Sequence, residues 1–231
     1  MMDARRVMDN ARVEELYAAK VCLPDAYFAK FAKLPPCPIR RWGAWGSHDF
    51  PRAWCILDFR EWVNKYDIAR GGALACTSLE DPELQDLTYD AVTELPYPDV
   101  DLHTLSTEGA FDFFVFNQTI EHLHTPHVAL ARVFAALKPG GYCFTSVPTI
   151  NIPHSTPIHF GGFTPMGLAV LMENAGFDVC EMGQWGSHKY IDAIFAQHGW
   201  PGYDALHVNG VVVNERRNVC QTWTLARKPV A

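Results

Sequence analysis

Five of the ten histidines fall in two short runs: His122, His124 and His127 in EHLHTPH, and His154 and His159 in PHSTPIHF. An imidazole is the side chain best suited to take or give a proton near neutral pH. Two such runs brought to one place would therefore make a proton-accepting site. His122, nearest the end of the apolar run before it, is the first candidate for a general base. His154 and His159 come next, as base or as acceptor-binding groups. The other reading of the same residues is loop packing and hydrogen bonding. Imidazole and carboxylate also suit Zn, Mn or Fe, with Glu121 or Asp101 completing the set. Neither an H-E-x-x-H repeat nor a paired-aspartate signature is present, and no metal is expected.

The elements around these runs alternate strand and helix. AFDFFVFNQ (110–118) is aromatic and β-branched on both faces, as a central parallel strand is. TPHVALARVFAAL from Thr125 to Leu137 has helical spacing, and Lys138-Pro139-Gly140-Gly141 should stop it before the strand GYCFTSVP. Strand, helix, glycine turn and strand make a βαβ unit, which would bring both histidine runs to the same edge of the sheet. Earlier, ILDFREWVNKYDI is expected to be helical and GGALACTS (71–78) a short buried strand. Later, TPMGLAVLMENAG is a helix capped by Thr164, started by Pro165 and ended at Gly176. FDVCEMGQW then forms another strand, and QTWTLARK an edge strand. The pattern predicts an α/β fold with a doubly wound, Rossmann-like, mostly parallel sheet and flanking helices.

Ahead of this core, ARVEELYAAKVC and DAYFAKFAKL are helix-like and separated by Pro24. LPPCPIRRWGAWGSHDFPRAW (34–54) concentrates proline, glycine and tryptophan. It reads either as an ordered loop over a pocket or as an aromatic plug between the helices and the core. Residues 1–66 are accordingly expected to form a helical cap and loop, and 67–231 the core, as one compact unit.

In open α/β sheets, ligands bind outside the carboxyl ends of the strands. That rule selects Thr77 and Ser78, Glu94, Asp101, Asn117 and Gln118 through His122, and Pro148 through Phe163. The tryptophans are mostly expected as core anchors, with one or two, Trp45 among them, stacking on an acceptor.

The chain has 231 residues, 48% of them hydrophobic, and a formal net charge of −7. An acidic surface argues against nucleic-acid binding, and no run reaches the roughly 20 apolar residues of a membrane span. The charged start MMDARRVMDNARVEE is unlike a secretory signal, which predicts a soluble, cytoplasmic protein. Seven scattered cysteines without a CxxC pair are expected to be reduced core residues. No G-x-G-x-x-G turn supports a nicotinamide enzyme.

Two stretches resemble the class I S-adenosylmethionine-dependent methyltransferases of the small-molecule type. They are FDFFVFNQTIEHLHTPHVALARVFAALKPGGYCFTSVP and PHSTPIHFGGFTPMGLAVLMENAGF, spanning residues 111–177. The shared features, in order, are the strand opening with FD, the E-H-L step with a nearby proline, the helix, L-K-P-G-G, the strand ending in V-P, and a later AGF. The resemblance implies S-adenosylmethionine as cofactor, with Glu94 accepting from the ribose hydroxyls and Asp101, next to Leu102, from the adenine amino group. Asn117 and Gln118 would lie under the methionine portion, with Ile120 and Leu123 near the adenine. Trp185 and His188 would belong to the acceptor pocket.

The departure from the family lies in ALACTSLEDPEL, where a glycine-rich E-x-G-x-G-type loop is expected after the first strand. Either Thr77 and Ser78 supply the contacts of a modified loop, or the cofactor site has decayed. The resemblance thus implies an O-methyltransferase for a small hydroxylated acceptor, with a sugar of a glycan as the favoured class. The alternative is a non-catalytic binding or partner-interaction module on the same fold. A monomer and a homodimer both stay open.

Overall fold

A computed structural model describes residues 8–46, 48, 50–155, 157–197 and 199–230. Six strands are formed: β1 Arg70–Cys76, β2 Thr88–Glu94, β3 Phe111–Asn117, β4 Leu137–Pro148, β5 Asp178–Gly186 and β6 Val219–Arg227. They make one sheet in the order β2-β1-β3-β4-β6-β5. The first four are parallel, and β6 runs antiparallel to both β4 and β5. The chain winds from β1 outward to β2, then crosses back to β3 on the other side of β1. The carboxyl ends of β1 and β3 therefore flank the switch point where such sheets hold ligands.

The sheet is buried on both faces. Along β3, Phe113 and Val115 join one core cluster while Phe114 and Phe116 join the other, and all four are 0% exposed. This is why its sequence is apolar without alternation. The helices α3 Phe50–Lys65 and α6 His188–Gln197 cover the first face, contributing Trp54, Phe59, Trp62, Tyr190 and Ile194. The helices α4 Pro126–Ala136 and α5 Pro165–Asn174 cover the second, contributing Leu130, Val133, Leu168 and Met172.

The expected architecture is therefore present, with four local differences. First, QTWTLARK is no edge strand: β6 lies between β4 and β5. Thr222 and Thr224 are fully buried and donate to the carbonyls of Gly183 and Glu181, both at 2.9 Å. Hydroxyls satisfied inside the sheet cost little to bury.

Second, Asp101, selected as a strand-end residue, follows no strand: none forms between Glu94 and Phe111. Residues 95–110 form an irregular connection that buries Leu95, Leu102 and Leu105 in the α4/α5-side core, which leaves β2 at the sheet edge. Third, β4 begins at Leu137, so Lys138 through Gly141 belong to the strand. The pairing slips between Phe111 and Phe113 to accommodate them. Fourth, α3 starts at Phe50, six positions ahead of Ile56, with Pro51 in its first turn, where a missing N–H costs nothing.

The N-terminal helices α1 Asn10–Leu16 and α2 Asp25–Ala29 are joined by a π-helical turn, Tyr17–Val21. Leu16 and Val21 are buried in the α4/α5-side core. Lys20 Nζ donates to the Cys180 carbonyl on β5 at 3.1 Å. Of the two readings of residues 34–54, the structure shows the plug: Trp45 is 6% exposed, in the α3-side core, and its indole N–H donates to the Pro35 carbonyl at 2.7 Å. A further short helix, α7 Tyr203–Leu206, lies near this loop through the bond from Asp204 N to the Gly46 carbonyl. No helix among the described residues is long and apolar enough to cross a membrane.

Candidate functional site

β3 ends at Asn117, and the chain leaves the sheet through Gln118, whose φ of +49° is left-handed. That conformation is uncommon for a side chain other than glycine, and such residues cluster at functional sites. A single 3-10 turn, Ile120–His122, follows. After β4 the chain loops back against this turn. Phe160 N donates to the Glu121 carbonyl at 2.8 Å, and His122 Nδ1 lies 3.0 Å from the Ile158 carbonyl. The return is tight at Gly162, where a Cβ would collide with the carbonyl oxygens of Pro148 and Thr149. Glycine is thus required there by close backbone approach.

This geometry brings both histidine runs together. Ring centroids are 5.1 Å apart for His122 and His154, 5.1 Å for His154 and His159, and 6.2 Å for His122 and His159. His124 instead stands 4.1 Å from His103, and His127 is exposed. A cavity of about 250 Å³ opens at the cluster, lined by Gln118, Glu121, His122, Asn151, His154 and Trp200. Trp200 donates from its indole to Asn151 Oδ1 at 2.8 Å and is 47% exposed.

Burial lowers the pKa of His122 and of His159, with neighbouring histidines pushing the same way. Both rings are therefore neutral at physiological pH. Glu121 is 2% exposed, its Oε2 is buried without a partner among the described residues, and burial pushes its pKa up to about 8. Among the described residues no group of three His, Cys, Asp or Glu side chains is placed to hold a metal ion.

The crevice between β1 and β3 is filled by charge. Arg52, from the first turn of α3, donates to Asp81 at 2.8 Å and to Glu83 at 2.9 and 3.1 Å. The two carboxylates hold the buried guanidinium charged although burial alone would lower its pKa. Asn117 Nδ2 donates to the same Asp81 at 3.2 Å, and Thr77 and Thr119 hydroxyls meet at 3.3 Å. The loop after β1 is thereby tied across to the end of β3. Ser146 donates to Asn117 Oδ1 at 3.0 Å, and Gln118 Nε2 to Ser146 at 3.1 Å.

The remaining expected residues are distributed as follows. Glu94 is exposed at the end of β2 and accepts the Leu79 amide at 2.8 Å through Oε1. Ser78 Oγ accepts the Glu80 amide at 3.1 Å. Asp101 accepts both the backbone N–H of His103, at 2.9 Å, and its ring Nδ1, at 2.6 Å. Those bonds hold its carboxyl below the usual range. Leu102 is 4% exposed and packs in the core with Ile120 and Leu123.

Trp45 and Trp185 belong to the α3-side core, and Trp185 is 0% exposed against Phe50 and Tyr190. A closed indole presents no face to an acceptor, so these two are corrected to core residues. His188 is exposed and paired with Glu215 at 2.6 Å, away from the lining of the histidine cavity. Nothing in the sequence pattern singles out Arg52, Asp81 or Glu83, while Asn151 and Glu121 fall within the strand-end segments without a role in proton transfer. Trp200 was noticed only as one of several tryptophans. The available signal was the acid directly before His122 at a strand end.

A family model described as a methyltransferase domain matches residues 66–182, just over half of the chain. The chain belongs to this family of methyltransferases. S-adenosylmethionine, the cofactor expected from the sequence, is the methyl donor this family uses.

Among solved structures, the 1,6-didemethyltoxoflavin N1-methyltransferase of Burkholderia thailandensis, with 1,6-didemethyltoxoflavin and S-adenosylhomocysteine bound, is 14% identical with a TM-score of 0.50. That match covers 99% of this chain and 98% of the other. The [4+2]-cyclase SpnF is 15% identical with a TM-score of 0.51, over 78% of this chain and 82% of its own. At such identities the likeness is one of fold, and the fold carries more than one chemistry. No curated protein matches the chain.

The residues at the strand ends fit the nucleoside half of S-adenosylmethionine by their donor set. Glu94 at the end of β2 has an exposed carboxylate, which would accept from ribose hydroxyls, and Thr77 and Ser78 carry partly exposed hydroxyls. The methionine half would meet the acceptor oxygens of Asp81 and Asn117 in place of a glycine cradle.

Proposed function

We propose that the chain is an S-adenosylmethionine-dependent methyltransferase that acts in the cytoplasm and O-methylates a hydroxyl of a small acceptor, with a sugar as the favoured class. The observation that supports it most directly is the histidine-lined cavity, with a neutral His122, at the same sheet edge as the strand ends that carry Glu94 and Asn117. Its walls combine an amide from Gln118, an amide from Asn151 and a half-exposed indole from Trp200. That mixture of flat apolar face and polar edge suits a sugar ring.

Bound S-adenosylmethionine supplies a methyl group activated on a sulfonium sulfur. The chain's own residues have two tasks. Thr77, Ser78, Glu94 and Asp101 hold the nucleoside end, while Asn117 and Gln118 line the floor toward the histidine cavity. His122 takes the hydroxyl proton at Nε2, the nitrogen its bond to Ile158 leaves free. His154 completes the wall and, with His159 stacked on it at 5.1 Å, orients the acceptor.

The test is transfer of labelled methyl from S-adenosylmethionine to a panel of monosaccharides, phenols and primary amines. Label on the hydroxyl compounds, lost in His122→Ala, is expected; label on amines alone would overturn the O-transfer reading.

A second reading, a binding module on the methyltransferase fold, is favoured by the bridge from Arg52 through Asp81 to Asn117 that closes the crevice. Binding of the cofactor decides between the two.

A further inference from the structure

Among the described residues, the His122 ring is fixed through one nitrogen only. Nδ1 faces the Ile158 carbonyl at 3.0 Å. A carbonyl only accepts, so the proton of the neutral ring sits on Nδ1 and Nε2 keeps its lone pair. That lone pair faces Glu121 Oε1 at 4.0 Å, too far for a direct hydrogen bond. The other oxygen of Glu121 is buried without a partner, and the residue lines the same cavity. Packing of the loop does not need this carboxyl, because Phe160 is held by the Glu121 backbone carbonyl. A buried, orphaned acid in a native fold calls for a reason.

We propose that Glu121 and His122 form one proton-accepting pair that receives the acceptor hydroxyl between them, with Glu121 as the residue that sets the basicity of His122. The inference rests on the O-methyltransferase reading and deepens it. An oxygen about 2.8 Å from both partners fits a 4.0 Å gap. The hydroxyl O–H bond breaks, its electron pair stays on oxygen, and an N–H bond forms at His122 Nε2. The imidazolium so formed stands beside Glu121, whose carboxylate offsets the new charge in the ionised state reached above about pH 8.

The charged and titratable groups facing the pair come from three elements. His122 shares the turn with Glu121; His154 and His159 come from the loop after β4; and Arg52 comes from α3, with its charge shared by Asp81 and Glu83. Arg52 pulls the Glu121 pKa down and burial outweighs it, leaving it at about 8. His122 and His159 are neutral there, so near pH 8 Glu121 is the group that changes charge.

The test is a pH titration of the full chain by NMR, following side-chain carboxyl carbons and histidine ring nitrogens. The Glu121 carboxyl is expected to titrate near 8 instead of 4.5, with the His122 nitrogens moving at the same midpoint. In Glu121→Gln that movement disappears, and in Glu121→Asp it returns at a displaced midpoint, a rescue that a packing role would not produce. If His122 shows no movement with Glu121, or Glu121 titrates with the surface carboxylates, the pairing is overturned. Calorimetric titration of the wild type with S-adenosylmethionine is read separately. Its failure would remove the methyltransferase reading, whereas binding without coupled titration would remove only the pair.

Discussion

Glu121 carries its consequences into stability as well as chemistry. Its folded pKa, about 8, lies above the ordinary 4.5. The folded state therefore holds a proton that the unfolded chain has already released between those values, and stability falls as pH rises through this window. The ceiling is about 1.4 kcal/mol per pH unit, reduced in practice by relaxation and water entry. Glu121→Gln does not titrate, so its melting temperature is expected to gain on the wild type from about pH 5 to about pH 8 and then run parallel. Scanning calorimetry at a series of pH values checks this; a constant gap would contradict the buried acid.

Arg52 makes the opposite case. Its removal leaves Asp81 and Glu83 buried beside Asn117 without a counter-charge. Arg52→Met is expected to lose about 3 to 5 kcal/mol in denaturant unfolding. The loss should shrink as pH falls, because Asp81 has a raised pKa and its protonation removes one of the uncompensated charges. Of these residues, the sequence made only the histidines legible as proton carriers. Arg52 lies 29 positions before Asp81, and no local spacing announces such a pair.

At the level of elements, periodicity and caps were readable where the partners are local. Thr164 caps α5 by accepting the Gly167 amide at 3.1 Å, as its place before Pro165 implies. The position of β6 was not readable, because an inner antiparallel strand is defined by its two neighbours. The same holds for the missing strand after β2: the fate of residues 95–110 depends on three leucines finding the core under α4. β6 also fixes a demand on β5. Trp223 is fully buried, donates to Asp58 at 3.1 Å, and lies against Gly183, where an added Cβ would collide with the indole nitrogen. Gly183→Ala should therefore destabilise the fold by about 1 to 3 kcal/mol through overpacking. Chemical denaturation of the variant measures it, and a neutral result would mean that β5 and β6 separate more easily than their packing implies.

Across the whole molecule, the N-terminal region is bound to the core at both faces of the sheet. Tyr27 donates to the Gln184 carbonyl at 3.1 Å, Arg216 donates to the Leu23 carbonyl at 2.6 Å, and Val212 N donates to the Ala32 carbonyl at 2.9 Å. Residues 1–66 and 67–231 are accordingly expected to unfold together, in one calorimetric transition with matching van't Hoff and calorimetric enthalpies. Two transitions would make the N-terminal region a separate unit.

The sheet, its switch point and the family follow from a sequence pattern that spans many residues. The crevice could not be read the same way, since ALACTSLEDPEL names the missing glycines and not the ion cluster that takes their place. The central claim is that this crevice still receives S-adenosylmethionine beside the histidine cavity. Calorimetric titration of the wild type and of Glu94→Ala with S-adenosylmethionine tests it most directly. Saturable binding by the wild type, weakened about tenfold or more in the variant by loss of a charge-assisted hydrogen bond, is the predicted result. No heat of binding with the wild type would contradict it and leave the closed Arg52–Asp81–Asn117 bridge as the mark of a fold kept for recognition.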